Sequence, residues 1–253
     1  MQMPVLSVRR TAAALACAAT LISLTACKGG TDAKDPASGP APSHSAAANP
    51  VTVPNGAEKL SAAEIYAKGR ETNAAAGSFR EQMTRQGAKS DLLLSATECV
   101  GTVELSAKGS FEIIRKGNDV WAKPDAKLAE QLRNGTGFTI SAGQWVHGAP
   151  DNPLMKSLDS WCHHEQFTDP DTLDAGTKVT KGKPTMVNGQ QAVPVILASN
   201  GESVTWYTAT TGKPYFVKQD STRADMPDVV YSAFGKPVNA QAPSGQIEEA
   251  PTK

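Results

Sequence analysis

Along much of the chain, the character of the side chains alternates with a period of two. Successive side chains of an extended backbone point to opposite faces, so such a run gives the two faces different polarity. In the first such run, Phe79, Glu81 and Met83 alternate with Arg80, Gln82 and Thr84. This alternation is typical of β-strands that bury one face. Similar runs predict further strands over residues 91–97, 99–105, 110–115, 119–123, 178–181, 184–187, 191–199, 203–208 and 214–220.

Short turn motifs between these strands predict antiparallel hairpins. Asn188-Gly189 and Asn200-Gly201 each separate two predicted strands. An Asn-Gly pair readily takes the positive φ angles that a type I′ hairpin turn needs. Gly117-Asn118 and Thr211-Gly212 mark two more turns. We therefore expect successive strands to pair with each other.

Helical signals are fewer and local. Residues 61–64, Ser-Ala-Ala-Glu, form a capping box, which predicts a helix from there to about residue 76. Residues 125–132 predict a short helix, and residues 153–162 predict another that carries Cys162 at its end. The helices are too few for a bundle, so the sequence predicts an α+β domain dominated by its strands.

The N-terminal segment follows a different pattern, with Arg9 and Arg10 before an apolar run over residues 11–22. This run is short for a membrane-spanning helix and has the form of a secretory signal. Leu24-Thr25-Ala26-Cys27 follows and resembles the lipobox of bacterial lipoproteins, whose cysteine is acylated. We expect a signal peptide over residues 1–26 and lipid attachment at Cys27. The alternative is an ordinary signal peptide with an incidental cysteine.

The remaining chain divides by composition. Residues 27–57 are rich in Pro, Ala and Ser and predict a disordered tether behind the lipidated cysteine. Residues 58–242 form the predicted domain, and residues 243–253 a flexible tail. The expected location is the extracytoplasmic face of the cell membrane, with the domain held there through the lipid on Cys27.

The charge balance excludes one class of partner. Lys and Arg number 25, and Asp and Glu number 25. Removal of residues 1–26 takes away two arginines and no acid, so the mature chain is slightly acidic. A chain without a basic excess has no field that attracts nucleic acid. We expect no nucleic-acid partner, and we expect a monomer.

Cysteine usage predicts a disulfide. The chain has 4 cysteines. Cys17 lies in the signal and Cys27 is the lipidation site, so Cys99 and Cys162 remain as a pair in an oxidising compartment. We expect these two to be joined, which would connect a strand to the end of the third helix. The alternative is two buried free thiols.

Candidate chemistry is sparse. Residues 162–165, Cys-His-His-Glu, are the one cluster that could suggest a metal site or a nucleophile. Consecutive histidines on a helix point about 100° apart and do not easily share one ion, and no zinc-binding motif accompanies them. No nucleophile or phosphate-binding motif occurs elsewhere. We expect no catalytic residue, no metal and no cofactor, and therefore no enzyme.

Three segments carry a family resemblance. Residues 109–121 (GSFEIIRKGNDVW), 187–192 (VNGQQA) and 206–215 (WYTATTGKPY) resemble segments of LppX/LprG-type envelope lipoproteins of actinobacteria. The resemblance covers roughly residues 60–240. It implies a LolA-like fold, a curved antiparallel half-barrel whose concave face is covered by helices. It also implies binding or transport of a lipid or glycolipid in the covered cavity.

Strand alternation selects residues for such a cavity. The inward candidates share a large apolar side chain on a predicted strand. They are Phe111, Ile113, Trp121, Val193, Val195, Leu197, Val204, Trp206 and Phe216. The sequence leaves two interpretations open, a lipid-binding cavity or a core filled by its own side chains that serves as a protein- or wall-interaction module.

Overall fold

A single open sheet of thirteen strands dominates the part of the chain that the structure, a computed structural model, describes. That part comprises residues 53–137, 140–162, 164–168, 173 and 176–252. The strands are β1 (Ser78–Arg85), β2 (Ala88–Ser95), β3 (Glu98–Leu105), β4 (Gly109–Lys116), β5 (Asp119–Pro124), β6 (Trp145–Gly148), β7 (Lys178–Lys181), β8 (Thr185–Val187), β9 (Gln190–Ser199), β10 (Glu202–Ala209), β11 (Phe216–Ser221), β12 (Asp228–Ser232) and β13 (Ile247–Glu249). The α-helices in the described ranges are α1 (Ala62–Ala74), α2 (Ala126–Thr136) and α3 (Pro153–Asp159).

The order across the sheet is β13-β6-β5-β4-β3-β2-β1-β12-β11-β10-β9-β7, with β8 beside β9. All neighbours are antiparallel except β13 and β6, which are parallel. The first and last strands of this order do not pair, so the sheet stays open. At its centre β1 pairs with β12, which brings Arg80 opposite Ser232.

The helices lie against one face of this sheet. Helix α1 packs on β7, β9, β10 and β11, whereas α2 and α3 pack on β4 and β5. The same face carries the main core, which includes Phe79, Leu92, Val103, Ile113 and Val195, each at most 1% exposed. The predicted fold class, an α+β half-barrel of antiparallel strands covered on its inner face by helices, is confirmed.

Helix α1 begins where the sequence predicts. The Ser61 side chain accepts a hydrogen bond from the Glu64 amide, and the Glu64 carboxylate accepts one from the Ser61 amide. Further along, Asn73 is fully buried and accepts a hydrogen bond from the Phe216 amide at 2.8 Å. This contact fixes α1 on strand β11. Gly69 lies between, and a β-carbon placed there would overlap the Phe216 ring.

Gly69→Ala should therefore destabilise the protein by about 1–2 kcal/mol, because the gain in helix propensity is smaller than the cost of displacing Phe216. Gly135→Ala in α2 is the matched control, since a β-carbon there meets no atom within 4 Å. The control should stabilise by up to about 1 kcal/mol. Urea unfolding of both variants tests this difference in sign; stabilisation by Gly69→Ala would show that α1 is not seated on Phe216.

The predicted hairpin turns are present. Asn188 and Asn200 have φ angles of 48° and 52°, and each is followed by a glycine at positive φ. The first pair connects β8 to β9, and the second connects β9 to β10. The hairpin of β4 and β5 turns at Gly117, as predicted.

The folded domain extends beyond both of the boundaries predicted from the sequence. Pro54 forms an isolated bridge with Thr211, and Ala57 is buried, so the last residues assigned to the tether dock on the domain. The predicted flexible tail contains strand β13, and Ala250 is buried behind it. These segments are too short to show a hydrophobic period, so their order comes from contacts that no local pattern reveals.

His147 connects β13 to β5 in addition to the backbone pairing of β13 with β6. The Nδ1 atom of His147 lies 3.1 Å from each Glu249 carboxylate oxygen, and its Nε2 atom lies 3.0 Å from Asp119. Burial alone would lower the pKa of His147, but the hydrogen bonds to the two carboxylates outweigh it and raise the pKa above its usual value.

The predicted signal peptide, Cys27 and most of the tether fall outside the described residues. Across the described ranges, no helix combines the length and the apolar character that crossing a membrane requires.

Candidate functional site: a cleft on the inner face

Two adjoining cavities open on the inner face of the sheet. The first has a volume of about 340 Å³ and the second about 580 Å³. Gln166, Gln219 and Met226 line both. We call the two together the cleft. Its combined size falls within the range of pockets that hold small-molecule ligands.

The wall of the first cavity is mainly apolar. Leu197 of β9 and Val204 and Trp206 of β10 lie next to each other, because Val204 pairs with Leu197 across the strands. Tyr66 of α1 lines the same space. An aliphatic chain in this cavity would exchange water for aromatic and branched side chains, which is favourable at about 25 cal/mol per Å² of apolar area.

Polar residues lie at the margin of this cavity. Arg70, Glu202 and Arg223 line it together with the apolar wall. The Arg70 guanidinium donates a hydrogen bond to the Gln166 carbonyl at 3.5 Å. The cavity thus combines an apolar interior with groups that can contact a polar head.

An aromatic cluster supports the floor of the cleft. The ring centroids of Trp206 and Phe216 are 4.6 Å apart, and Tyr66 lies 5.7 Å from Phe216. Phe167 packs against Trp206 at 6.1 Å and Tyr231 at 5.2 Å. Such packed rings keep the wall rigid, so the cleft does not need to collapse when it is empty.

The second cavity differs because it contains a carboxylate. Glu81 of β1 lines it with Met83, Trp161, Val229 and Tyr231. Glu81 lies directly opposite Tyr231 in the β1–β12 ladder. A charged side chain has therefore been placed on the apolar face of a strand.

A hydrogen-bonded bridge joins the walls of this cavity. The Gln166 amide group donates to a Glu81 carboxylate oxygen at 2.5 Å, and the Tyr231 hydroxyl donates to the Gln166 side-chain oxygen at 3.4 Å. Desolvation raises the pKa of Glu81 to about 7, although the Gln166 hydrogen bond partly opposes this. Burial, and then the charge of Glu81, raise the pKa of Tyr231 well above its usual value.

The disulfide positions this bridge. Cys99 of β3 is bonded to Cys162, which confirms the predicted pair. Cys162 follows α3 and shortly precedes the 3-10 helix Glu165–Phe167, which carries Gln166. Arg115 of β4 also pairs with Asp159 of α3 at 3.8 Å. Together they tie the segment that divides the cleft to the sheet beneath it.

The structure separates the predicted cavity residues into three groups. Leu197, Val204 and Trp206 line the first cavity. A second group is at most 2% exposed and fills the core instead: Phe111, Ile113, Val193, Val195 and Phe216. Trp121 lies on the opposite face, since it pairs with Ile114 and His147 and stacks on the His147 ring at 5.1 Å.

The residues of the hydrogen-bonded bridge in the cleft escaped the sequence prediction: Glu81, Gln166 and Tyr231. Glu81 alternates in phase with Phe79 and Met83, so its position on the inner face could have been noticed as an anomaly. Gln166 carried no signal, because it lies outside any periodic segment. Of the cluster at residues 162–165, Cys162 is in the disulfide and His164 stacks on Phe79; His163 is not described.

Comparison with known proteins finds distant similarity to this chain. No family model and no curated protein matches it. Among solved structures it is similar to the lipoprotein LppX of Mycobacterium tuberculosis, at 11% identity and a TM-score of 0.48, over 71% of this chain and 98% of that chain. It is also similar to the LolA superfamily protein NE2245 of Nitrosomonas europaea, at 10% identity and a TM-score of 0.22, over 68% of this chain and 91% of that chain.

These two structures are of the kinds that the sequence segments resemble, a lipoprotein of the LppX type and a member of the LolA superfamily. Both likenesses are distant in sequence.

Proposed function

We propose that this protein binds an amphipathic, lipid-type molecule in the cleft, without catalysing a reaction. The observation that carries the proposal is the open apolar wall of Leu197, Val204 and Trp206 beside polar residues. The aliphatic chain of the ligand lies against this wall, and its polar head faces the polar part of the cleft lining.

The wall suits an aliphatic chain better than a flat partner surface. It is concave, and it is enclosed by α1 on one side and by the 3-10 helix with Gln166 on the other. A concave apolar site removes most of a small ligand's surface from water, whereas a protein partner needs a broad exposed patch. The large hydrophobic residues that are exposed in the described part of the chain are few: Val53, Leu173, Met186 and Ile247.

Leu197→Arg should weaken lipid binding by at least about tenfold, because the new side chain places a charge and extra volume in the first cavity. The full chain is titrated with 1-palmitoyl-lysophosphatidylcholine that carries a nitroxide quencher on its acyl chain. Quenching of tryptophan fluorescence reports binding, since Trp206 and Trp161 line the cleft. Met186→Arg is the matched control, because Met186 is 61% exposed and lies outside the cleft.

We expect Met186→Arg to bind like the wild-type chain. Equal quenching of both variants would contradict binding in the cleft. A wild-type chain whose fluorescence the probe leaves unchanged would contradict the proposal as a whole. That result would favour the interaction module with a filled core, for which the packed inner face around Ile113 is the supporting observation.

We also propose that the protein is anchored to the extracytoplasmic face of the membrane through the lipid on Cys27. The supporting observation is the lipobox-like run of residues 24–27 behind an apolar segment. Cys27→Ala should abolish incorporation of radiolabelled palmitate, whereas the pair Cys99 and Cys162 remains oxidised. Undiminished label on the variant would contradict this anchor.

A further inference from the structure

The second cavity contains an acid without a compensating cation. Glu81 is half-buried, and no ion pair to it forms among the described residues. Its hydrogen-bond donor is the neutral amide of Gln166. A carboxylate in such surroundings loses hydration that the protein does not replace with a positive charge. In the described part of the chain, Glu81 therefore has no cation within ion-pair distance, although Arg85 lines the same cavity.

Glu81 is surrounded by residues from the two neighbouring strands and from the segment that carries Gln166. Tyr231 of β12 and Leu92 of β2 lie opposite it in the two neighbouring strands, and Gln166 lies above. Among charged residues, Arg85 lies at the far end of β1 on the same cavity, and Arg70 of α1 contacts the Gln166 carbonyl. Among the described residues, the Glu81 carboxylate has its hydrogen bond to Gln166 and no ion pair to an arginine.

We propose that the second cavity binds the primary ammonium group of an amphiphile whose aliphatic chain lies in the first cavity. The ammonium group donates hydrogen bonds to the Glu81 carboxylate. Trp161 and Tyr231 line the same space, and the face of an aromatic ring attracts a cation. This inference rests on the proposed function, because it assigns the head group of the ligand that the cleft binds.

The arrangement of the two cavities supports one ligand that occupies both. Gln219 and Met226 contribute to each cavity, so they share a wall. The first cavity provides Leu197, Val204 and Trp206 for the chain, and the second provides Glu81 for the head. An anionic head would meet an unfavourable charge in the second cavity, and an alcohol would leave the carboxylate without a counter-charge.

The ionisation of Glu81 makes binding of the ammonium group depend on pH. Because the pKa of Glu81 is raised to about 7, the free protein is partly protonated there at neutral pH. A bound ammonium group favours the carboxylate, so binding at pH 7 releases a proton. Binding of the cation should strengthen as the pH rises from 5.5 to 8, whereas binding of a neutral alcohol should not change.

The test compares three probes with the same ten-carbon chain: decylammonium, decanol and decanoate. Calorimetric titration of the full chain at pH 8 should show that decylammonium binds about tenfold more tightly than decanol. This difference in affinity is what a charge-assisted hydrogen bond is expected to contribute. Titrations at pH 7 in two buffers of different ionisation enthalpy should show proton release with decylammonium only. In Glu81→Gln the preference should fall to within about twofold, and the proton release should disappear.

The outcomes separate this inference from the proposed function. Decanol binding with no preference for decylammonium would overturn the ammonium site and leave the lipid cleft intact. Failure of all three probes while lysophosphatidylcholine still binds would overturn the ammonium site alone, and failure of lysophosphatidylcholine as well would overturn both. A preference and a proton release that persist in Glu81→Gln would place the cation elsewhere and overturn the assignment. Glu104→Gln on strand β3 is the charge control, and it should keep the preference and the proton release, because Glu104 is exposed and lines neither cavity.

Discussion

Replacing Cys99 and Cys162 together by serine should lower the free energy of unfolding by about 4 kcal/mol. The disulfide closes a loop with a sequence separation of 63 residues, and a crosslink of this length removes much conformational freedom from the unfolded chain. Both cysteines are at most 2% exposed, so the serines also introduce polar groups into the core. Urea unfolding of the wild-type and double-variant chains measures the effect.

Dithiothreitol separates the crosslink from the change of side chain. The reductant should destabilise the wild-type chain and leave the double variant unchanged. Two thiols that react with an alkylating reagent in the oxidised, folded wild-type chain would refute the bond itself. Since Cys162 leads into the segment that carries Gln166, loss of the bond should also weaken lipid binding in the fluorescence titration.

Glu81→Gln should stabilise the protein by about 2–3 kcal/mol at pH 8 and leave its stability almost unchanged at pH 4.5. Desolvation raises the pKa of Glu81 from the model-peptide value of 4.5 to about 7. The folded protein therefore binds this proton more tightly than the unfolded chain does. The associated stability is fully present below pH 4.5 and is lost as the pH rises through 7. The amide removes this loss because it has no charge to desolvate.

Thermal unfolding at several pH values between 4.5 and 8 tests this expectation. The wild-type chain should lose stability relative to Glu81→Gln across that interval. Glu104→Gln on strand β3 is the matched control, because it makes the same substitution at an exposed position. A constant difference between wild type and Glu81→Gln at all pH values would show that the Glu81 carboxyl ionises normally.

The elements that could be predicted from the sequence are those with local signals. The Ser61 capping box and the Asn-Gly turns act within a few residues, so they can be recognised in the sequence without knowledge of the fold. The pairing of Cys99 with Cys162 followed from counting, because the other two cysteines were assigned to the signal and the lipid. The strand alternation then placed Leu197, Val204 and Trp206 correctly on one face.

The direction in which side chains face could not be predicted where several apolar residues are adjacent. Val120, Trp121 and Ala122 are all buried, so alternation does not decide which of them faces inward. The register of β5 places Ala122 opposite Ile113 and turns Trp121 to the outer face. The extent of the cavities was equally hidden, since Val195 fills the core and Leu197, two residues along, lines open space.

The central pairing of β1 with β12 has a consequence for how the chain matures. These strands come from opposite ends of the domain, so their ladder closes only after nearly all of it is available. Long-range pairing of this kind forms slowly, because a long loop must be closed before any contact compensates the entropy. Until the last strands are available, β1 would expose an unpaired edge. A chain truncated before residue 228 should therefore aggregate or be degraded instead of folding partially.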